Sequence, residues 1–510
     1  MGRPRALVAW TAIVGLLAAA TMAVSLGCRR FATRSPLVVV LDEQLFTLDP
    51  HLHNHSVTWT ALTNLYDTLV RFSPEMQLEP ALAVSWERPD ATHLRMRLRS
   101  GVRFSDGSSL TADDVVASFE RARGHPRSLV RHYLVGINAI RKESDSSIVV
   151  ETAGAAPNLL NRLTFLVIVP RALTGSEEIV RPVGTGPYRL VNREADGSLV
   201  LEGWPSWRGT PEISRVILRF RENELEATDL FFSGKADVFR FLPDDQVNEA
   251  KRHAGLSAVP QPRLMVQLLA IASRAGGEAG RALADVRVRR ALLLACDRAG
   301  WIERVYRGNA TVASQYVQPV VFGYDPGVTP LPYDPAEAKR LLREAGFPNG
   351  FEVALGHGSV RSGIIEAMIA DLGKVDVRVR SRALSFEEAL RLARAGELPL
   401  FYYAWACSTG DATEFLNTSV HSRKEVEGLG VENYAGFSDP AVDALLDAAD
   451  QELDAVKRLG LLQQAQRRVL AELPVLPLTI RWGFLGVSSR VEVTTRHDER
   501  IWVAAFRWRK

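Results

Sequence analysis

Residues 94–119, LRMRLRSGVRFSDGSSLTADDVVASF, pass from one secondary-structure period to another within a single short stretch. Leu94, Met96 and Leu98 alternate with Arg95, Arg97 and Arg99. That period of two predicts a strand with one buried and one solvated face. Beyond the Gly- and Ser-containing turn, Thr111 and Asp114 make a capping-box pair, and Val115 and Phe119 sit four apart on one helical face. Strand and helix therefore follow each other closely, which predicts a mixed α/β chain.

The same alternation of elements extends in both directions. Leu37–Leu41 is a short apolar run of the kind that forms a buried strand, and Ile148–Glu151, Val216–Phe220 and Val475–Ile480 read as further strands. Asp334-Pro335-Ala336-Glu337 predicts a helix start: Asp334 caps, Pro335 loses nothing at the first helical position, and Glu337 reaches back. Ala338, Leu341, Leu342 and Ala345 keep the spacing of one buried face, and Gly346 ends the helix. Asp439-Pro440 opens another, with Val442, Leu445, Leu446 and Ala449 inward. Two stretches read as junctions: the turn Gly184-Thr185-Gly186-Pro187-Tyr188, and the small, polar, glycine-rich segment 273–280, a linker or surface loop at a domain crossing. No segment repeats at a fixed period, which argues against solenoids and propellers.

Composition bounds the class. Of 510 residues 46% are hydrophobic and 24% charged, ordinary soluble usage, and the net charge of +3 comes without a basic stripe interleaved with aromatics, so nucleic acid is excluded as a partner. The N-terminus is different. Arg3 and Arg5 precede an apolar run from Ala6 to Gly27, a secretory signal by pattern but long for one, since roughly 20 apolar residues suffice to span a bilayer as a helix. It ends Val24-Ser25-Leu26-Gly27-Cys28, where a small residue before cysteine resembles a lipobox. Cys28 would then be the lipidated first residue of the mature chain. An uncleaved anchor would hold the body at the membrane equally well, and a soluble secreted form is the third option. What remains is well beyond the ~250–300 residues at which one core stops growing, so two or three domains are expected. Cys296 and Cys407 are then the only other cysteines, too few for a disulfide framework though not for a single bridge, and read as buried small hydrophobes.

Further motifs run nearly from end to end: Thr47-Leu48-Asp49-Pro50, Leu65-Tyr66-Asp67-Thr68-Leu69, Leu78-Glu79-Pro80-Ala81-Leu82-Ala83 with Trp86, and the 101–107 and 110–115 signatures. Then come Gly184–Tyr188, Asp285–Leu292, Tyr333-Asp334-Pro335, Asp439-Pro440 with Asp443, and Pro474–Leu478. In that order they resemble the extracellular solute-binding proteins of the peptide/nickel class, the oligopeptide- and dipeptide-binding type of family 5. The resemblance implies a bilobed, flytrap-like fold of the type II periplasmic-binding-protein kind, with discontinuous lobes and an extra small α/β domain. It places a signal peptide at 1–27 and a tether at 28–34, lobe I at 35–70, 181–272 and 485–510, the accessory domain at 71–180, and lobe II at 273–484. It implies a monomer in the periplasm or at the outer cell surface that passes a small ligand, a peptide or peptide-like compound, to the permease subunits of an ABC importer. No cofactor and no catalysis are implied.

In peptide-binding relatives a Trp, and three residues later an Asp that pairs with the ligand's α-ammonium group, lie on a loop of the second lobe. Here the loop is Trp405-Ala406-Cys407-Ser408-Thr409-Gly410-Asp411. Trp405 matches; the anchoring position is Ser408, a hydroxyl that lacks the charge. Either Asp411 substitutes from one turn away, or the ligand lacks a free amino terminus. Arg361 lies where dipeptide-binding relatives clamp the ligand carboxylate, a task suited to a guanidinium fork. Tyr403 shares its strand parity with Trp405, so both are expected at the cleft. His51, His53 and His55 alternate in a way that could aim three imidazoles at a metal, but no acidic or thiol partner accompanies them; a solvated or packing role is the simpler reading.

No nucleophile elbow, zinc-protease helix, phosphate loop or paired Cys-x-x-Cys occurs, which leaves an enzyme without support. The alternatives that share the fold are a tethered sensor without transport and a binder of a non-peptide solute such as an opine, an oligosaccharide or a metal chelate.

Overall fold

The computed structural model describes residues 34–358, 363–424 and 428–510. The expected signal segment with Cys28, and Arg361, lie outside the described residues. Two mixed sheets organise the rest. The first has the strand order Leu256–Gln261, Gly483–Ser488, Val238–Phe239, Leu37–Leu41, Arg215–Phe220, Leu199–Gly203, Tyr188–Arg193. Its central strand Leu37–Leu41 is parallel to both neighbours, Arg215–Phe220 and Val238–Phe239. Such a strand is buried on both faces and reads as an unbroken apolar run. Leu37, Val39 and Leu41 enter one core, while Val40 enters another with Phe231, Phe239 and Phe484.

The second sheet runs Ala310–Val312, Val475–Arg481, Met265–Ile271, Leu400–Ala406, Glu352–Gly358, Arg378–Leu384. It too is covered on both sides: Leu268 and Ala270 point into one core, Leu269 and Ile271 into the other. Two chain crossings join the sheets, one through Pro262-Arg263-Leu264 and one at Trp482. This corrects the expected boundary between residues 272 and 273. Met265–Ile271 pairs with Leu400–Ala406 and Val475–Arg481 and so belongs to the second sheet. The first crossing falls at Pro262, which has no N–H for a ladder. The 273–280 segment is likewise shorter as a loop than its composition suggests, because Gly277–Ala284 is helical. Arg481 pairs with Asp244 at 2.7 Å beside one crossing, and Arg263 with Glu499 beside the other.

A four-stranded antiparallel sheet, Ala83–Glu87, His93–Leu98, Ser147–Thr152, Ile137–Ser144, forms the body of the 71–180 segment. Leu94, Met96 and Leu98 are the buried positions of the strand His93–Leu98, and the capping box of Thr111 and Asp114 starts the helix Ala112–Gly124. Their core, with Phe104, Val115 and Phe119, continues into that of the first sheet. Asp334 caps Pro335–Glu344 by accepting from the Glu337 N–H at 2.9 Å, and Gly346 follows with φ of 90°. Glu337, however, does not reach back; its carboxylate pairs with Arg340 at 2.6 Å, one turn on.

Gly184-Thr185-Gly186 presses against Leu65-Tyr66. The Gly186 N–H donates to the Leu65 carbonyl and the Tyr188 N–H to that of Asn64, both at 3.0 Å. Thr185 Oγ1 donates to Asp67 at 2.9 Å, and the same carboxylate takes Trp207 Nε1 at 2.9 Å and Arg208. Two of the sequence motifs are thus a single structural contact.

Candidate functional site

The strand Leu400–Ala406 leads into the loop that carries most of the expected site. Phe401, Tyr403 and Trp405 share one face by strand parity and pack on one core, while Leu400 and Tyr402 join the other. The Tyr403 ring stacks on Phe401 at 5.3 Å and meets Tyr434 edge-on at 5.4 Å; its buried hydroxyl has no hydrogen-bond partner among the described residues. Trp405 lies edge-on to Phe415 and donates its indole N–H to Glu432 at 3.0 Å. Tyr403, Trp405, Tyr434, Gln267, His357 and Glu432 help line a cavity of about 600 Å³ at this end of the second sheet.

Past the strand, the loop folds around two carboxylates. Asp411 is 2% exposed, and Arg458 holds it in a bidentate pair at 2.6 and 2.9 Å. It also accepts from the Thr413 N–H and hydroxyl. With its oxygens so engaged, Asp411 does not present a free carboxylate beside Ser408, contrary to the expectation from spacing. The acid beside Ser408 is Glu414, which the sequence reading missed. Ser408 Oγ donates to it at 3.0 Å, the Thr409 N–H at 2.7 Å and the Thr409 hydroxyl at 2.6 Å. Burial holds the Glu414 carboxyl above its ordinary range, against those hydrogen bonds. A signal for it existed in its place on the same short loop, three positions after Asp411 and six after Ser408. Cys407 donates its thiol to the Asp411 carbonyl at 3.1 Å, and burial pushes its pKa well up. Both Cys296 and Cys407 are buried free thiols.

The loop is docked on the 71–180 segment. Asn161 Nδ2 donates to the Thr409 carbonyl at 2.8 Å, Asn158 Nδ2 to the Thr413 hydroxyl at 3.1 Å, and Tyr133 comes within hydrogen-bonding reach of Ser408.

The three histidines diverge. His51 is buried, donating Nε2–H to the Val167 carbonyl at 2.9 Å and accepting from Arg121, which is also paired with Asp49. His53 is buried edge-on against Trp59 at 4.7 Å, and His55 contacts Glu43 at 2.9 Å. Among the described residues no cluster of His, Cys, Asp or Glu is disposed to hold a metal. Burial above all pushes His51 down to about 4 and His53 to about 3, with Arg500 the next cause for His53. In the unfolded chain both titrate near their ordinary 6.5. Below that pH the unfolded state binds protons that the folded state refuses. Stability is therefore complete above about pH 6.5 and declines as pH falls toward about 4, by up to about 1.4 kcal/mol per unit for each histidine. Melting curves across this range should show the decline, and His53→Leu should flatten it; an unchanged slope in that variant would refute the assignment.

The fold is that of a two-lobed, type II periplasmic binding protein. The family model described as bacterial extracellular solute-binding proteins, family 5 Middle, matches residues 77–426, and the chain belongs to that family. It is 28% identical over 466 residues to heme-binding protein A of Haemophilus influenzae, with 84% of each chain covered. It is 26% identical over 485 residues to the glutathione-binding protein GsiB of Escherichia coli, covering 91% of this chain and 93% of GsiB. Among solved structures, the ABC transporter-associated periplasmic binding protein DppA from Helicobacter pylori, in complex with the peptide STSA, superposes with a TM-score of 0.75 at 23% identity. That superposition covers 93% of this chain and 98% of DppA. The family consists of extracytoplasmic solute-binding proteins rather than enzymes. Among the described residues no helix is long and apolar enough to cross a membrane.

Proposed function

We propose that the chain captures a small solute, a peptide or peptide-like compound, between its lobes and delivers it to an ABC importer, held at the membrane by a lipid on Cys28. The observation that carries this reading is the cavity of about 600 Å³ beside Trp405 and Tyr403, at the end of a strand whose following loop touches the 71–180 segment. Solute pockets are of this size and are aromatic-lined with a few polar groups. A ligand touching both lobes favours the arrangement in which they meet, which is how a hinge protein reports occupancy. The names of two relatives, a glutathione-binding protein and a peptide-complexed DppA, support the peptide-like class. Trp405, Tyr403 and Ser408 are the proposed contacts, with Glu414 behind Ser408 as the acceptor for a ligand amine, and Arg361 as a carboxylate clamp.

The test is to purify the full chain in detergent, identify co-purifying small molecules by mass spectrometry, and titrate di- and tripeptides with free and acetylated amino termini. Trp405→Ala is expected to weaken binding by about 10-fold or more, since a buried indole carries a large share of contact energy. If no peptide binds, or if Trp405→Ala binds as tightly as the parent, the assignment fails.

A further inference from the structure

A second cavity, of about 50 Å³, lies where the first lobe meets the 71–180 segment, and four arginines line it: Arg71, Arg208, Arg496 and Arg500. Three of them are matched. Arg71 pairs with Glu79 at 3.1 Å, Arg208 with Asp67, and Arg496 bidentately with Asp498 at 2.7 and 2.8 Å. Arg500 is not. Its side chain is only 16% exposed, and the one carboxylate near it among the described residues is Asp498, at 3.8 Å and already engaged by Arg496. None of the hydrogen bonds among the described residues is donated by its guanidinium. Around it are ring faces, Trp59 at 4.7 Å and Phe165 at 5.6 Å, with His53 and Tyr133 also near enough to interact with its charge. Aromatic faces attract a cation but accept no N–H, so this largely covered guanidinium has no protein acceptor and no carboxylate of its own among the described residues.

The surroundings place this cation toward the second lobe. Phe165 stacks on Tyr133 at 3.9 Å, and Tyr133 reaches Ser408. Phe72, another wall of the cavity, packs beside Gly410. The cavity therefore abuts the loop that follows Trp405. Its volume is several times what one water requires, room for a single small anionic group with the rest of a molecule extending outward.

We propose that Arg500 receives a carboxylate of the captured solute, so that the preferred solutes are acidic; this rests on the reading that the solute is held between the lobes. A planar guanidinium fork pairs with a carboxylate through two parallel hydrogen bonds, and doing so here supplies both the missing counter-charge and the missing acceptors.

The experiment titrates the full chain with glutamate-containing tripeptides and with the same peptides fully amidated, with acetate alone as a further arm. Amidation is expected to cost about 10- to 100-fold in affinity, the range for hydrogen bonds to charged groups. Arg500→Gln should lower the affinity for the acidic peptides by the same factor and leave that for the amides unchanged. Arg500→Lys, which keeps the charge but not the fork, should fall between the two, and it serves as the variant of record if the glutamine form fails to fold. Equal binding of acids and amides, or no effect of either variant, overturns the role of Arg500 while leaving solute capture intact. Stabilisation by acetate equal to that by the peptides, without competition between them, would make the cavity a site for free anions and also overturn it. If neither peptide series binds the parent protein, the capture reading fails and this inference falls with it.

Discussion

Arg458→Met is expected to destabilise the folded chain by about 3–5 kcal/mol, although Arg458 lies 47 positions from its partner. The guanidinium sits on the helix Ala455–Glu472, 4% exposed, with Nε donating to the Ala449 carbonyl at 3.0 Å and both terminal nitrogens donating to Asp411. Methionine fills the space but leaves the Asp411 carboxylate buried without a cation. The penalty is the desolvation of that unpaired charge rather than the worth of the pair. The double variant Asp411→Asn, Arg458→Met should therefore recover much of the loss, because it removes both charges and keeps a side chain that can still accept from the Thr413 N–H. Urea titration of the four proteins of this cycle measures the coupling. If the single variant unfolds within about 1 kcal/mol of the parent, or the double variant is as unstable as the sum of the singles, the pair is not what fixes the loop. Solute affinity should fall with the single variant as well, since Asp411 holds the loop from which Ser408 and Glu414 project.

This pair also marks where the sequence stops being informative. Periods and caps are local, so the strand at Leu94–Leu98, the helix after Thr111 and the shared face of Tyr403 and Trp405 were legible from a few neighbouring residues. Partnership is not local. Asp411 and Glu414 are both acids near Ser408, and only the helix that delivers Arg458 decides which one is neutralised. Arg500 ends the charged run Arg496-His497-Asp498-Glu499-Arg500, which carries no local sign of which cation is paired. Its status as the surplus cation emerges from matching Arg71, Arg208 and Arg496 with carboxylates contributed by separate segments. The expected boundary between residues 272 and 273 differs from the sheet assignment for a similar reason: the apolar run Met265–Ile271 fits either sheet by pattern, and its pairing with Leu400–Ala406 assigns it to the second. Glu337 had a local alternative of equal standing in Arg340, and an ion pair one turn along the helix took precedence over the reach back to the cap.

Gly186→Ala is the other substitution expected to act strongly, for a reason that owes nothing to backbone flexibility. Gly186 is not among the residues with positive φ; what it supplies is the absence of a side chain. A Cβ there would lie 2.5 Å from the Leu65 carbonyl carbon and 2.7 Å from the Tyr66 nitrogen, and one on Gly184 would overlap the Leu65 oxygen. The atoms in the way are backbone, held by the hydrogen bonds of Gly186 and Tyr188 to Leu65 and Asn64, so no rotamer change relieves the contact. A cost of about 3 kcal/mol or more is expected, at or beyond the upper end for overpacking. Gly107 is the matched control: its φ is 92° and a Cβ would meet nothing within 4 Å. Gly107→Ala should cost only the left-handed strain, about 1–2 kcal/mol. A melt in which the two variants shift equally would show that close approach is not what Gly186 provides. The displacement should also carry further than stability. Thr185, between the two glycines, bonds Asp67, which neutralises Arg208 on the wall of the Arg500 cavity. Pushing this loop away from Leu65 would take from Asp67 the donor that helps orient it toward Arg208, so a folded remnant of Gly186→Ala should bind acidic peptides with altered affinity, whereas Gly107→Ala should bind them as the parent does.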